Sequence, residues 1–317
     1  MSSTILIVGA TGNTGKSAVR KLSSLLESKK SNHFSRILGL TRSMNSPASQ
    51  SLAKLPFVEM QEKDWTTIDA NWLKEQGVVR VYVAPHNLPH QFVDESRLYL
   101  ALLDAGVKYL VKISTNVEFI SPNNPIYYGR SHWAAENLLS QPEFRHLQWT
   151  SLRPHYFTPL YLTFVPDWIK QFKKTGEQTK FTTLLAADVP VALIDPNDVG
   201  EIGAHLLALD DPTPHNQAKY VLSGPEDVTG KQVLETVEKF IGTKVQDVEY
   251  KDTSFLTDLV VRGLYPEKHL SSLLEGCNPL WLGKCSLSGA PTSKKIIELA
   301  PPKRTFVDTL NDLVEEK

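Results

Sequence analysis

Three glycines at spacing three, Gly9, Gly12 and Gly15, follow the apolar run Ile5–Val8 and precede the amphipathic stretch Lys16–Leu26. A strand, a glycine turn and a helix in that order form the setting of a phosphate-binding turn. Gly9 permits the tight turn, Gly12 admits a pyrophosphate to the backbone, and Gly15 lets the helix pack closely on the strand. The helix N-terminus offers free N–H groups to the phosphates, and Thr11, Asn13 and Thr14 add side-chain donors. A glycine loop that serves packing alone is the competing reading; the position at the first strand-to-helix junction favours a nucleotide. The second apolar run ends in Thr41-Arg42-Ser43. An acidic residue there would take both ribose hydroxyls of NAD, whereas a guanidinium grips a 2′-phosphate, so NADP(H) is the expected cofactor. An ordinary exposed arginine is the alternative.

Further along, Ala84 and Pro85 close the fourth apolar run, at the carboxyl edge where open α/β sheets bind ligands. His86 and His90 follow in the loop, His86 as a candidate substrate contact. Asp64-Trp65, after the third run, lies where an adenine is approached, or is a plain loop acid. Ser114 ends the fifth run, where a hydroxyl can polarise a carbonyl near the nicotinamide or merely satisfy backbone groups. Lys112 faces the same side as Ser114, and is expected toward solvent because burying a lysine is costly. After the sixth run, Pro154 is placed at the cofactor. Tyr156, Phe157, Tyr161 and Phe164 form an aromatic wall for a flat apolar or conjugated substrate, unless those spacings serve a core helix. The stretch "FLTDLVVRGLYPEKHLSSLL" (255–274) is expected to cover the cleft, and Asp195 and Asp198 read as turn and N-cap residues.

The elements that must position these groups alternate. Apolar runs at Ile5–Val8, Ile37–Leu40, Phe57–Met60, Val78–Ala84, Tyr109–Ile113 and Trp149–Leu152 are continuous, as in strands covered on both faces. Between them lie amphipathic stretches such as Lys16–Leu26, Phe92–Ala105 and Ser131–Leu139. The fold class is therefore α/β, a doubly wound parallel sheet, and the pattern changes beyond Pro154. A strand and a helix within 189–209 are expected to return to that sheet, and 219–242 repeats that grammar with Thr229 as N-cap. Residues 28–36 and 43–51 read as exposed loops.

Composition removes other classes. The chain has 317 residues, 41% hydrophobic, with 34 basic against 35 acidic residues, so no general nucleic-acid or membrane-surface binder is indicated. The two cysteines, Cys277 and Cys285, form no CxxC, the histidines form no cluster, and no metal site is expected. The absence of a basic n-region or a long apolar window fits a soluble cytoplasmic protein.

Together, "ILIVGATGNTG", "TRS", "VKYLVKIST", "YYGRSHWAAENLL", "WTSLRPHYF" and "IDPNDVGEIGAHLL" resemble the NmrA-like branch of the atypical short-chain dehydrogenases/reductases. That branch includes isoflavone-reductase-like proteins and NADPH:quinone oxidoreductases, and the resemblance runs through nearly the whole chain. It implies a Rossmann-type doubly wound parallel sheet that binds NADP(H) over residues 1–153 and a smaller C-terminal α/β substrate lobe over 154–317, with the substrate cleft between them. Classical members use a Tyr with a Lys four residues later; here Tyr127 is followed by Ser131 and Tyr128 by His132. In the resembling family a Lys or His occupies this helix position, so His132 is the matching residue, with Tyr128 and Ser114 completing the candidate catalytic set. His132 either relays a proton to substrate or only anchors the cofactor and packs with Glu136. Two functions from different classes follow: an NADPH-dependent oxidoreductase acting on a small quinone, enone, imine or carbonyl, and a cofactor-sensing regulator with a protein partner. An isomerase or cyclase on the same fold is a third, and a homodimer is left open.

Overall fold

In the computed structural model, which describes residues 3–29 and 33–315, the apolar runs lie side by side as parallel strands. They are β1 (Thr4–Val8), β2 (Arg36–Thr41), β3 (Val58–Glu62), β4 (Val78–Val83), β5 (Tyr109–Ile113) and β6 (Gln148–Pro154). Three later strands follow: β7 (Phe181–Thr183), β8 (Ala218–Leu222) and β9 (Val248–Tyr250). Seven of them form one sheet in the order β3-β2-β1-β4-β5-β6-β8, every pair parallel, and β7 pairs with β9 apart from it. The strand order reverses between β1 and β4, which opens a crevice at their carboxyl ends.

Successive strand residues point to opposite faces, and both faces are dry. Ile5 and Ile7 pack with Leu22, Tyr82, Val199 and Ile202 on one side. Leu6 and Val8 pack with Val81, Leu98, Leu102 and Trp149 on the other. The helices Gly15–Lys29 and Pro196–Leu207 lie directly against each other: a Cβ on Gly200 would fall 2.1 Å from both Ser17 Oγ and Thr14 O. A third apolar cluster, with Phe119, Tyr156, Ile169, Phe181 and Val233, forms the C-terminal lobe.

Two local expectations are overturned. Within 43–51, read as a loop, a helix forms over Pro47–Leu52, because Ser46 caps it by accepting the Ser49 N–H and Pro47 takes its first turn. No strand forms near 189; Val191 and Ile194 make only isolated bridges, to Val228 and Phe157. Pro190 brings no N–H to a ladder, and the Ala192 N–H is taken by Cys285 O. The helix expected after it does form, as Pro196–Leu207, with Asp195 as N-cap, and Thr229 caps Gly230–Ile241 through a capping box. Residues 30–32 of the expected 28–36 connection lie outside the described residues. Among the described residues no helix is long and apolar enough to cross a membrane.

Candidate functional site

The glycine turn follows directly from the strand order. β1 ends at Val8, and Gly9 turns the chain at φ +81°, with any Cβ there meeting Ala84 O at 3.0 Å. Gly15 opens the first helix so close to the turn that a Cβ would lie 2.0 Å from Gly9 O. Gly12 and Asn13, both exposed, line a cavity of about 510 Å³ with Thr14, Ala84, Pro85 and Ser114. The same cavity reaches Asn87, His132, Phe157 and Tyr265.

At the β2–β3 end a second cavity, about 700 Å³, is lined by Thr41, Arg42, Lys63, Asp64, Trp65 and His86. Thr11 Oγ1, from the glycine turn, stands 3.5 Å from Thr41 Oγ1 of this second cavity. Asp64 is a capping residue: its Oδ1 accepts the Thr66 N–H and hydroxyl at 2.9 and 2.8 Å, and those bonds hold its carboxyl below the usual range. His86 therefore belongs to this cavity with Arg42, and not to the one shared by Ser114 and His132.

Contrary to the sequence reading, histidines do cluster here: donor atoms of His86, His90 and Asp94 lie within 4.8 Å of one another. The spacing of four and four was the available signal, hidden by the change from loop to helix at Gln91. His86 Nδ1 accepts the Leu88 N–H at 3.2 Å, so Nε2 carries the proton and donates to Asp94 Oδ2 at 3.0 Å.

Behind the first cavity sits a buried polar network. Lys112, expected toward solvent, is fully buried. Its Nζ lies 3.5 Å from Glu95 Oε1 and 3.2 Å from His132 Nδ1. Glu95 also accepts from Tyr99 Oη at 2.5 Å and Gln91 Nε2 at 3.0 Å. The fixed positions of these partners, not exposure, offset the burial of the charges. His132 is buried and its Nε2 lies 3.4 Å from Asn87 Oδ1. Burial, and secondarily the Lys112 charge, push its pKa well below the ordinary histidine value.

Glu136 does not pair with His132, as one reading had it. It accepts from Ser114 Oγ at 2.9 Å and Ser151 Oγ at 2.7 Å, and holds the guanidinium of Arg153. Burial raises its pKa, but the Arg153 bond, the Lys112 and Arg153 charges and Ser151 outweigh that and leave it lowered. The one proton of Ser114 is committed to Glu136, so toward the cavity this hydroxyl is an acceptor and does not polarise a carbonyl.

The NmrA-like family model matches residues 1–279. The chain belongs to the NmrA-like family. It is 25% identical over 215 residues, 68% of this chain and 69% of the relative, to the (4-alkanoyl-5-oxo-2,5-dihydrofuran-3-yl)methyl phosphate reductase of Streptomyces griseus. Among solved structures, it superposes on the NADPH complex of Escherichia coli quinone oxidoreductase QOR2 with a TM-score of 0.71. That match has 20% identity over 98% of this chain and 99% of the other. It also superposes on the negative transcriptional regulator Nmra in complex with NAD, with a TM-score of 0.58 and 15% identity over 78% of this chain and 74% of that one. At these identities the structural likenesses establish a shared fold.

In this NmrA-like chain two parts of the expected catalytic and substrate set lie elsewhere. Tyr128 is within the helix Tyr127–Leu139 but packs edge-on against Phe119 in the lobe, centroids 5.8 Å apart. Gly129 is clamped there, since its Cβ would sit 2.3 Å from Phe119 O. Burial raises the Tyr128 pKa, which keeps the phenol protonated. Of the aromatic wall only Phe157 lines the first cavity, that of Ser114 and His132. Tyr156 is buried in the lobe core and donates to Gly276 O at 2.8 Å. Tyr161 and Phe164 border a different, smaller pocket, and Pro154 is buried at the end of β6. Pro159, Leu160, Thr163 and Tyr265 line the cavity instead. Of the expected 255–274 cover, Tyr265 is the residue that reaches it.

Proposed function

We propose that this NmrA-like protein is an NADPH-dependent oxidoreductase that delivers hydride to a small apolar or conjugated acceptor such as a quinone, enone, imine or carbonyl. The observation that carries this reading is one continuous edge: the glycine turn, Arg42 and the cavity of Ser114 and His132 all lie at the carboxyl ends of β1, β2, β4 and β5. The residues fit the cofactor. Gly12 leaves open backbone where a Cβ would already crowd Gly9 O at 3.1 Å, which suits a pyrophosphate. Arg42 and Lys63 are the cations offered to a 2′-phosphate in the second cavity, which the carboxylates of Glu62, Asp64 and Asp94 also line, and Trp65 lies beside them for the adenine.

When bound, NADPH supplies the hydride. The chain's own residues orient the reactants and manage the proton. Ser114 accepts from a ligand hydroxyl or amide, Ala84 and Pro85 border the space beside it, and His132 and Asn87 face the remaining side. Phe157, Leu160 and Tyr265 make the rest of the wall apolar, suited to a flat substrate. Quinones and iminium ions accept hydride without a strong general acid, so they tolerate the absence of a Tyr-x-x-x-Lys pair.

That absence, together with Tyr128 turned into the lobe, also favours a second reading, a cofactor-sensing regulator without turnover. NADPH-oxidation kinetics against quinones, enones and cyclic imines separate the two. Turnover with any of them supports the enzyme; micromolar NADPH binding with every compound inert defeats it.

A further inference from the structure

We infer that Lys112 is a positioning residue that locks His132 as the neutral imidazole with its proton on Nε2, directed to the cavity. The inference rests on the proposed function only in taking that cavity as the place where substrate is reduced. An ammonium has hydrogens and no lone pair. With Lys112 Nζ 3.2 Å from His132 Nδ1, that ring nitrogen must therefore be the acceptor. Gln91 Nε2 donates to the Glu95 carboxylate at 3.0 Å and lies 3.2 Å from each ring nitrogen, so it does not separate the tautomers. The ammonium claims Nδ1, and the proton of a neutral ring goes to Nε2, 3.4 Å from Asn87 Oδ1 on the cavity wall.

The charged groups around the ring agree. Lys112 comes from β5, Glu95 and Tyr99 from the helix Gln91–Ala105, and Glu136 from the ring's own helix, where it is neutralised by Arg153 of β6. Glu95 is engaged by Lys112, Tyr99 and Gln91 and makes no hydrogen bond to the ring among the described residues. An imidazolium would place its Nδ1 proton against the ammonium.

The arrangement also gives the proton a route. As the anion left by hydride addition takes hydrogen from Nε2, the N–H bond there breaks. In the same step Lys112 Nζ passes one proton to Nδ1, so the ring exchanges tautomers without becoming charged. Lys112 is left as an amine beside Glu95. Water entering the open cavity then returns a proton to Nε2 and leaves as hydroxide, which bulk buffer neutralises, while Nδ1 returns its own proton to the lysine. The lysine thus serves the site through a histidine rather than through a tyrosine.

Long-range ¹H–¹⁵N NMR of the ligand-free protein, with His132 assigned by His132→Gln, tests this without any turnover. The expected spectrum has a protonated Nε2 and a bare Nδ1, unchanged between about pH 5.5 and 8. In Lys112→Met/Glu95→Gln, which removes both buried charges together, the ring should take both tautomers. A wild-type ring protonated on Nδ1, or on both nitrogens in that range, overturns the inference even if no variant folds. An unchanged spectrum in the double variant does the same. If the wild type oxidises NADPH, the double variant should lose about 100-fold in kcat with KM for NADPH unchanged; a matching loss in KM would reduce Lys112 to a structural role. An inert wild type with the expected spectrum would sink the enzymatic reading and leave the tautomer assignment standing.

Discussion

Reversing the charge at Arg42 is the sharpest test of cofactor choice. Arg42 is exposed on the rim of the second cavity, so Arg42→Glu leaves the core untouched. A hydrogen bond to a charged group contributes about 1.5–3 kcal/mol, which corresponds to about 10- to 150-fold in Kd. Lys63 lines the same cavity and remains, so binding falls within that range instead of vanishing. NADH has no 2′-phosphate and should change by no more than about fivefold, the scale of a surface charge effect. Titrating both nucleotides while following tryptophan fluorescence gives the readout, because Trp65 borders this cavity. Raising the salt should weaken NADPH selectively in the wild type and lose that selectivity in the variant. Equal weakening of both nucleotides, or an unchanged NADPH affinity, would refute the assignment of the 2′-phosphate to Arg42.

Other expectations follow from the same coordinates. Gly15→Ala puts a methyl 2.0 Å from Gly9 O and should lower stability by about 1–3 kcal/mol and abolish nucleotide binding, checked by thermal melting and NADPH titration. Tyr128→Phe should leave NADPH oxidation within about threefold of wild type, in contrast to a general-acid loss of at least about 100-fold. Burial lowers the pKa of His132 well below its usual value and that of His155 to about 4, so the unfolded chain binds protons at these sites that the folded chain refuses. Stability should therefore fall as pH drops below about 6.5, with a limiting slope of about 1.4 kcal/mol per pH unit per group. Urea unfolding of His132→Gln should show a shallower slope there; a slope equal to wild type would contradict a neutral buried His132.

What was legible in the chain was local. A strand, three glycines and a helix are contiguous, and the run of apolar residues in each buried parallel strand needs no partner to be recognised. Arg42 is legible for the same reason, since its place is set by the end of β2. Lys112 was misread because its environment comes from Glu95 on one helix and His132 on another, and neither proximity shows in strand periodicity. Tyr128 lost its expected role to Phe119, which clamps Gly129 and turns the helix start toward the lobe. The aromatic stretch after β6 divided between core and cavity because two short helices, Thr158–Tyr161 and Val165–Thr175, interrupt it. Spacing alone does not say which face of such helices meets a cavity and which meets Phe181 and Ile169.

The helix Pro196–Leu207, seated through Gly200 on the backbone of Thr14, has a consequence for how this chain can be divided. Its seat lies beside the glycine turn, and β8 then pairs with β6 to finish the sheet. A fragment ending at 153 would leave the first helix and Tyr82 facing water beside the glycine turn. The seven-stranded sheet and the helices on it are thus built from discontinuous stretches of the chain. Exchange of substrate specificity between relatives would have to leave 194–222 in place and graft only the segments on either side of it.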